Sequence, residues 1–139
     1  RLQTDKKAKE SYFNEWLDRK FAGRIKWSDE RTDYEDGIDC WIDDVPYDIK
    51  ATRSNKLTIF KIYSIYPDNP YSPLLNHPDV RYLLPPIDGD GTDYVRTYSK
   101  RSVMDHLRNN PKTGIFTGDG NINYWIDISN LLYKPLKCN

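Results

Sequence analysis

The predicted fold depends on one stretch, Gly37-Ile38-Asp39-Cys40-Trp41-Ile42-Asp43-Asp44-Val45-Pro46-Tyr47-Asp48-Ile49-Lys50. It predicts two short strands joined by a turn at Asp43-Asp44, because short polar residues favour turns between apolar runs. Alternation with period two puts Asp39 on the polar face of the first strand, and Asp48 and Lys50 on one face of the second. A hairpin would therefore bring these three charged side chains to one place.

Two carboxylates and an ammonium beside apolar strand surface are unfavourable unless something compensates the charges. A divalent cation held by Asp39 and Asp48 would do so, since hard cations prefer carboxylate oxygens. Lys50 would then lie near the metal, where it can contact a phosphate or the attacking water. The alternative is an ordinary hairpin whose solvated face carries the three side chains as cross-strand ion pairs.

At these residues the chain resembles the PD-(D/E)xK nuclease superfamily. The matching features are an acid on one strand (Asp39), acid-x-Lys on the next (Asp48-Ile49-Lys50), and a preceding helix rich in acids and aromatics. The resemblance covers roughly residues 4–62, with Asp48 where the family often has Glu, and Ile38 where its motif has proline. Acid-x-Lys also occurs at residues 5–7 and 18–20, but only residues 48–50 lie on an apolar strand that follows a strand carrying an acid.

The resemblance implies an α/β chain with a mixed central β-sheet flanked by helices, the restriction-endonuclease-like fold. It also implies a Mg²⁺-dependent endonuclease, with Mn²⁺ as a substitute, that hydrolyses phosphodiester bonds of DNA or, alternatively, RNA. Asp39, Asp48 and the Ile49 carbonyl would be the metal ligands, and Lys50 would be catalytic. Glu10 on the first helix would complete the catalytic set, with Glu15 as the alternative acid on that helix.

Charge is balanced overall but not locally. The 139 residues carry no net charge, so bulk electrostatics do not indicate a nucleic-acid-binding protein. Residues 29–48 contain nine acids and one basic residue, whereas residues 50–61 contain four basic residues and no acid. Arg53, Lys56 and Lys61 in the basic part are predicted to contact phosphates, and a solvated strand face is the alternative.

Two helices are predicted from apolar periodicity. The first spans residues 4–21, with Thr4 or Asp5 as its N-cap and Gly23 as its C-terminal signal. The second spans residues 99–109, capped by Ser99, and its predicted exposed side carries Lys100 and Arg101 as further nucleic-acid contacts.

The remaining strands are predicted at residues 24–27, 57–65, 80–84, 114–117 and 123–128, and the strand before Lys50 is expected to continue to Thr52. The last two form a closing hairpin, followed by a helical turn from Ser129 that Pro135 ends.

Residues 66–92 are rich in proline and tyrosine, which predicts an insertion or flap facing the substrate within a single domain of residues 1–139. Tyr66, Tyr71 and Tyr82 are candidates for stacking on unpaired bases, and the alternative is that they pack against the prolines.

Several classes of protein are disfavoured. Two cysteines without a metal-ligand spacing indicate neither a disulfide framework nor a zinc site. No membrane span or secretory signal is visible, so a cytoplasmic setting without a membrane partner is expected.

The expected partner is nucleic acid, which the protein would bind as a monomer or as a homodimer. The alternatives are a non-catalytic nucleic-acid-binding or inhibitor domain, and a protein-interaction module of a phage or mobile element.

Overall fold

The computed structural model describes residues 2–29, 31–32, 37–61, 77–89, 91–109, 114–116 and 122–139. At residues 2–9, 58–61, 107–108, 114–116 and 122–125 the description is of the backbone. The elements in chain order are α1 (Leu2–Lys20), β1 (Ile25–Trp27), β2 (Cys40–Ile42), β3 (Val45–Ile49), β4 (Lys56–Lys61), β5 (Arg81–Leu84), β6 (Tyr94–Ser99), α2 (Lys100–Asn109), β7 (Gly114–Phe116), β8 (Ile122–Asp127) and β9 (Lys134–Lys137).

Six strands form a mixed sheet in the order β1-β2-β3-β5-β6-β9. Strands β3 and β5 run parallel, and all other neighbours in this sheet are antiparallel. A second, antiparallel sheet has the order β4-β8-β7. The prediction of an α/β chain built on a mixed sheet is confirmed.

The two faces of the six-stranded sheet pack against different elements. One core combines apolar residues of α1 with one face of the sheet; its buried members are Phe13, Trp16, Leu17, Phe21, Cys40, Ile42, Tyr47, Leu83, Val95 and Cys138. The other combines α2, β4 and β8 with the opposite face; its buried members are Leu57, Tyr82, Leu84, Tyr98, Val103, Met104, Ile126 and Ile128. The side chains of Tyr82, Leu83 and Leu84 alternate between the two cores, as successive residues of a strand must.

Helix α1 begins at Leu2, so the prediction that Thr4 or Asp5 caps it is wrong: both lie inside its first turns. Its predicted end is confirmed. The Phe21 carbonyl accepts hydrogen bonds from the N–H groups of Arg24 and Ile25, and Gly23 takes a φ of 82° that favours glycine.

The predicted hairpin of β2 and β3 is confirmed. Asp43 and Asp44 have φ angles of 51° and 67°, the left-handed conformation of a two-residue type I′ turn. Arg24 binds both carboxylate oxygens of Asp43, at 3.0 and 2.7 Å, and so ties the start of β1 to this turn.

The predicted continuation of β3 to Thr52 is wrong, because the strand ends at Ile49. The Lys50 N–H still donates to the Leu83 carbonyl of β5, but the Thr52 N–H then donates back to the Lys50 carbonyl at 2.8 Å. This local bond turns the chain out of the sheet directly after Lys50.

Strand β5 lies inside the sheet, between β3 and β6, although residues 80–84 were expected within an insertion. Of the predicted flap, residues 66–76 and Asp90 lie outside the described residues, and the flap itself stays a prediction. Among the described residues no helix has the length and apolar character needed to cross a membrane.

The helical turn predicted at the end of the chain is wrong. In its place there is one tight, non-helical turn, in which the Leu131 N–H donates to the Ile128 carbonyl. The chain then enters β9, and Pro135 lies inside that strand. Proline lacks an N–H group, but it is tolerated here because β9 is the outermost strand of the described sheet. The Ser99 cap of α2 is confirmed, since its Oγ accepts the Ser102 N–H at 3.3 Å.

Candidate active site

A pocket of about 500 Å³ lies where α1, the end of β1, the start of β2 and the end of β3 meet. Its lining residues are Glu10, Asn14, Trp27, Ser28, Asp29, Gly37, Asp39, Asp48, Ile49 and Lys50. The five residues predicted to form the catalytic and metal site all lie on this one surface. The lining carries four acids and one lysine, so the pocket suits a cation or a ligand that brings one.

Asp39 is held in place through both its backbone and its side chain. Its N–H donates to the Tyr47 carbonyl at 2.8 Å, and its carbonyl accepts the Ser28 N–H at 3.0 Å. Its Oδ2 accepts the backbone N–H of Ile49 at 2.6 Å. A charged carboxylate is a strong acceptor, so this bond fixes Asp39 beside the acid-x-Lys segment of β3.

Asp48 contacts two lysines. Its Oδ2 lies 3.0 Å from the Lys100 Nζ, and its Oδ1 lies 3.5 Å from the Lys50 Nζ. Burial alone would raise the pKa of Asp48, but the charges of Lys50 and Lys100, together with their hydrogen bonds, hold that pKa below its usual value. Asp48 is therefore a charged carboxylate at neutral pH.

Lys100 is only 2% exposed, so its predicted place on the outer side of α2 is wrong. Its ammonium lies between the Asp48 carboxylate and the Tyr82 ring, whose centroid is 5.0 Å away. A sequence signal for this burial exists: Lys100 precedes Val103 and Met104 by three and four residues, and both are buried. Residues at that spacing share a helix face.

Tyr82 is 1% exposed and lies beneath the two lysines, with the Lys50 Nζ 6.0 Å from its ring centroid. Burial, and then the charge of Asp48, raises the pKa of Tyr82 well above its ordinary value, so the phenol stays neutral. Tyr82 was a candidate for base stacking with packing inside the protein as the alternative; its ring is covered by the core, so stacking is ruled out for this residue. Tyr66 and Tyr71 lie outside the described residues.

Two residues of α1 reach the pocket, Glu10 and, one turn later, Asn14. Asn14 was not predicted, although its spacing of four from Glu10 places it on the same side of the helix. Its Oδ1 is buried and has no hydrogen-bond partner among the described residues. Buried polar atoms are normally paired, so Asn14 is suited to contact a water or ligand in the pocket.

The predicted phosphate contacts lie away from the pocket lining. Lys56 at the start of β4 and Arg101 on α2 are exposed, and Arg53 is half-buried in the loop before β4. For Lys61 on β4 the backbone alone is described. Contact of these four residues with nucleic acid stays a prediction.

Cys40, next to Asp39, is not a candidate nucleophile. Its side chain is fully buried, and burial followed by the nearby charge of Asp39 raises its pKa to about 12. A thiol with that pKa is protonated at neutral pH and is therefore unreactive.

Three residues of the pocket lining are those that the resemblance implies as magnesium ligands. Asp39, Asp48 and the Ile49 carbonyl offer hard oxygen ligands, and Mg²⁺ commonly binds through one or two carboxylates while keeping several waters. The described residues contain no group of three or more His, Cys, Asp or Glu side chains able to hold a metal ion. Glu10 therefore does not join the two aspartates in one ligand cluster in this structure.

Comparison of the chain with family models, with curated proteins and with solved structures finds no match. Its function has to be inferred from the pocket itself.

Proposed function

We propose that this protein is a metal-dependent nuclease that hydrolyses phosphodiester bonds of DNA, with RNA as the alternative substrate. The observation that carries the proposal is the shared pocket of Asp39 and the Asp48-Ile49-Lys50 segment, joined by the 2.6 Å bond from the Ile49 N–H to Asp39 Oδ2. The preceding helix α1 and the mixed sheet fit the resemblance to the PD-(D/E)xK superfamily, so we extend the proposal to a restriction-endonuclease-like fold.

In this proposal Asp39, Asp48 and the Ile49 carbonyl would hold Mg²⁺, or Mn²⁺ in its place. When bound, the cation would offset negative charge on the phosphoryl oxygens and lower the pKa of its bound water. Glu10 and Asn14 line the same pocket, where their side-chain oxygens would accept hydrogen bonds from a bound water. Their task is to orient the water that attacks phosphorus.

Lys50 is assigned an electrostatic role. As an ammonium it donates hydrogen bonds and accepts none. It is therefore better suited to contact a non-bridging phosphate oxygen than to act as the base that takes a proton from water. During hydrolysis a bond forms between the water oxygen and phosphorus, and the bond from phosphorus to the leaving sugar oxygen breaks. The attacking water gives up a proton to solvent, and the leaving sugar oxygen takes up a proton from solvent. The negative charge that builds up on the phosphate then faces the Lys50 ammonium.

The direct test is cleavage of labelled single-stranded and duplex DNA and RNA with Mg²⁺, Mn²⁺ or EDTA. We expect metal-dependent cutting by the wild-type protein. In the Asp48→Ala/Lys50→Ala protein we expect cutting to fall about 100-fold or more, because groups that stabilise transition-state charge contribute on that scale. Gel analysis of the products would also give the preferred substrate.

The matched control is Lys26→Ala/Asp79→Ala, which removes the same two residue types from exposed positions outside the pocket. It should cut at the wild-type rate. Equal activity of the pocket variant and this control would overturn the proposal, and circular dichroism would establish that both variants are folded.

A second candidate is a non-catalytic nucleic-acid-binding domain. It is favoured by the ion pairs of Asp48, whose two oxygens already face Lys50 and Lys100. Such a cluster is balanced without a metal ion. This candidate requires binding to polynucleotides that weakens with salt and is not followed by cleavage. A protein-interaction module would show neither.

A further inference from the structure

Trp27 places an indole in the candidate active site. It is the last residue of β1 and lines the same pocket as Asp39, Asp48 and Lys50. Its side chain is nevertheless 39% exposed. Among the residues that line this pocket, Trp27 is the aromatic one.

The indole is anchored from two directions. Its Nε1–H donates to Asp18 Oδ1 on α1 at 3.0 Å, so its polar atom is already used within the protein. Its backbone pairs with Cys40 in the β1–β2 ladder, and the next residue, Ser28, donates its N–H to the Asp39 carbonyl. Trp27 therefore keeps a fixed place relative to Asp39, and its exposed surface is apolar ring.

We propose that Trp27 stacks on an unpaired nucleobase next to the phosphate that is cut, which makes single-stranded or locally opened nucleic acid the substrate class. This inference rests on the proposed nuclease function. Every base has an apolar face that an aromatic side chain can cover. In an intact duplex those faces are already covered by neighbouring bases. The pocket volume of about 500 Å³ lies in the range of sites that hold a small ligand.

In this proposal Trp27 takes the base-stacking role that Tyr82 cannot fill. Tyr82 is covered by protein, whereas Trp27 combines exposure with a position beside the two aspartates. Stacking on Trp27 would put the base on one side of the pocket and leave its phosphate to face Lys50.

The test measures binding of a fluorescently labelled ten-nucleotide single strand, and of the matching duplex, by anisotropy with Ca²⁺ as the only divalent cation. Gel analysis after each titration would establish that the strand stays intact. The variants are Trp27→Phe, which keeps an aromatic ring, Trp27→Leu, which keeps apolar bulk alone, and Trp27→Ala. Trp41→Leu is the control, since Trp41 is a half-buried tryptophan on β2 outside the pocket lining.

We expect the wild-type protein to bind the single strand more tightly than the duplex. Trp27→Leu and Trp27→Ala should bind the single strand about tenfold more weakly or worse, while Trp27→Phe and the control stay within about threefold of wild type. In a set of strands with one abasic site each, abasic substitution at one position should weaken wild-type binding and leave Trp27→Ala unaffected.

Two results would overturn the inference: equal binding by Trp27→Ala and wild type, or equal binding by Trp27→Leu and Trp27→Phe. If the wild-type protein cuts duplex and single strands alike and Trp27→Ala does the same, the stacking role fails and the nuclease proposal stands. If the wild-type protein binds neither and cuts neither, both fail.

Discussion

A lysine that is 2% exposed needs compensation for its charge, and Lys100 has it from Asp48 and Tyr82. The salt bridge at 3.0 Å supplies an opposite charge, and the ring face adds a weaker attraction. Gly37 comes close to the same ammonium: a Cβ there would lie 3.7 Å from the Lys100 Nζ, an ordinary contact. Its φ of 66°, and not lack of space, explains the glycine.

Removing the lysine alone should leave Asp48 poorly compensated. We expect Lys100→Met to lower the free energy of unfolding by about 3 kcal/mol, since breaking a buried ion pair from one side is strongly destabilising. In Lys100→Met/Asp48→Asn the loss should be smaller than the sum of the two single losses. Urea unfolding of the wild type, the two single variants and the double variant measures the interaction energy between the two side chains. Additive losses would mean that the two side chains do not interact.

The sequence predicted five residues of the acidic pocket but not the second lysine that pairs with Asp48. Alternation on two short strands was enough to bring Asp39, Asp48 and Lys50 together, because a hairpin is a local structure. Lys100 follows 50 residues after Lys50, and nothing local indicates that β6 delivers it to Asp48. The spacing of three residues between Lys100 and Val103 indicates that they share a helix face. Because buried lysines are rare, an exposed position was nevertheless predicted.

The β2–β3 turn is strained at both of its residues. Both Asp43 and Asp44 have positive φ angles, a conformation in which glycine is favoured at the second position. Asp43 makes a contact that glycine could not make, because its two carboxylate oxygens bind Arg24. The hydrogen bond to Arg24, followed by the guanidinium charge, lowers the pKa of Asp43.

We expect Asp44→Gly to raise the free energy of unfolding by up to about 1 kcal/mol, because it relieves the left-handed strain of a residue with a Cβ. Asp43→Gly should gain less or lose stability, since it also removes the bonds to Arg24. Thermal unfolding would compare the two variants. A lower midpoint for Asp44→Gly than for Asp43→Gly would contradict this account of the turn.

Arg96 joins the six-stranded sheet to the loop before β4. It is completely buried on β6. Its Nε–H donates to the Pro85 carbonyl at 2.7 Å, and Nη2 donates to the Thr52 carbonyl at 2.9 Å. Longer bonds reach the carbonyls of residues 53 and 54 and the Oδ1 of Asn55. One guanidinium therefore positions the segment that leads from one sheet to the other.

Arg96→Met should lower the free energy of unfolding by about 3 kcal/mol or more, because several buried carbonyl oxygens would lose their donor. Hydrogen exchange should increase first in β4 and the loop before it. Arg101→Met, at an exposed position on α2, is the matched control and should change stability little. Equal stability of the two variants would show that the Arg96 bonds contribute nothing.

The sequence did not predict which distant strands pair with one another. The strands at β5 and β8 were predicted from their own residues, but not that β5 lies parallel to β3, or that β4 pairs with β8 across more than 60 residues. The two partner segments of Arg96, Pro85 and residues 52–55, are likewise separate from it in sequence. An arginine inside a strand is ordinarily read as exposed, and only the fold reveals the carbonyls that surround it.

Strand β9, with the sequence Lys134-Pro135-Leu136-Lys137, forms one border of the described sheet. A border strand offers unpaired backbone groups on which a further chain can add a strand, the first step of sheet-driven aggregation. The proline lacks an N–H group, and the flanking lysines repel an identical strand. If two copies of this chain associate, this border is therefore an unfavourable place for them to join their sheets.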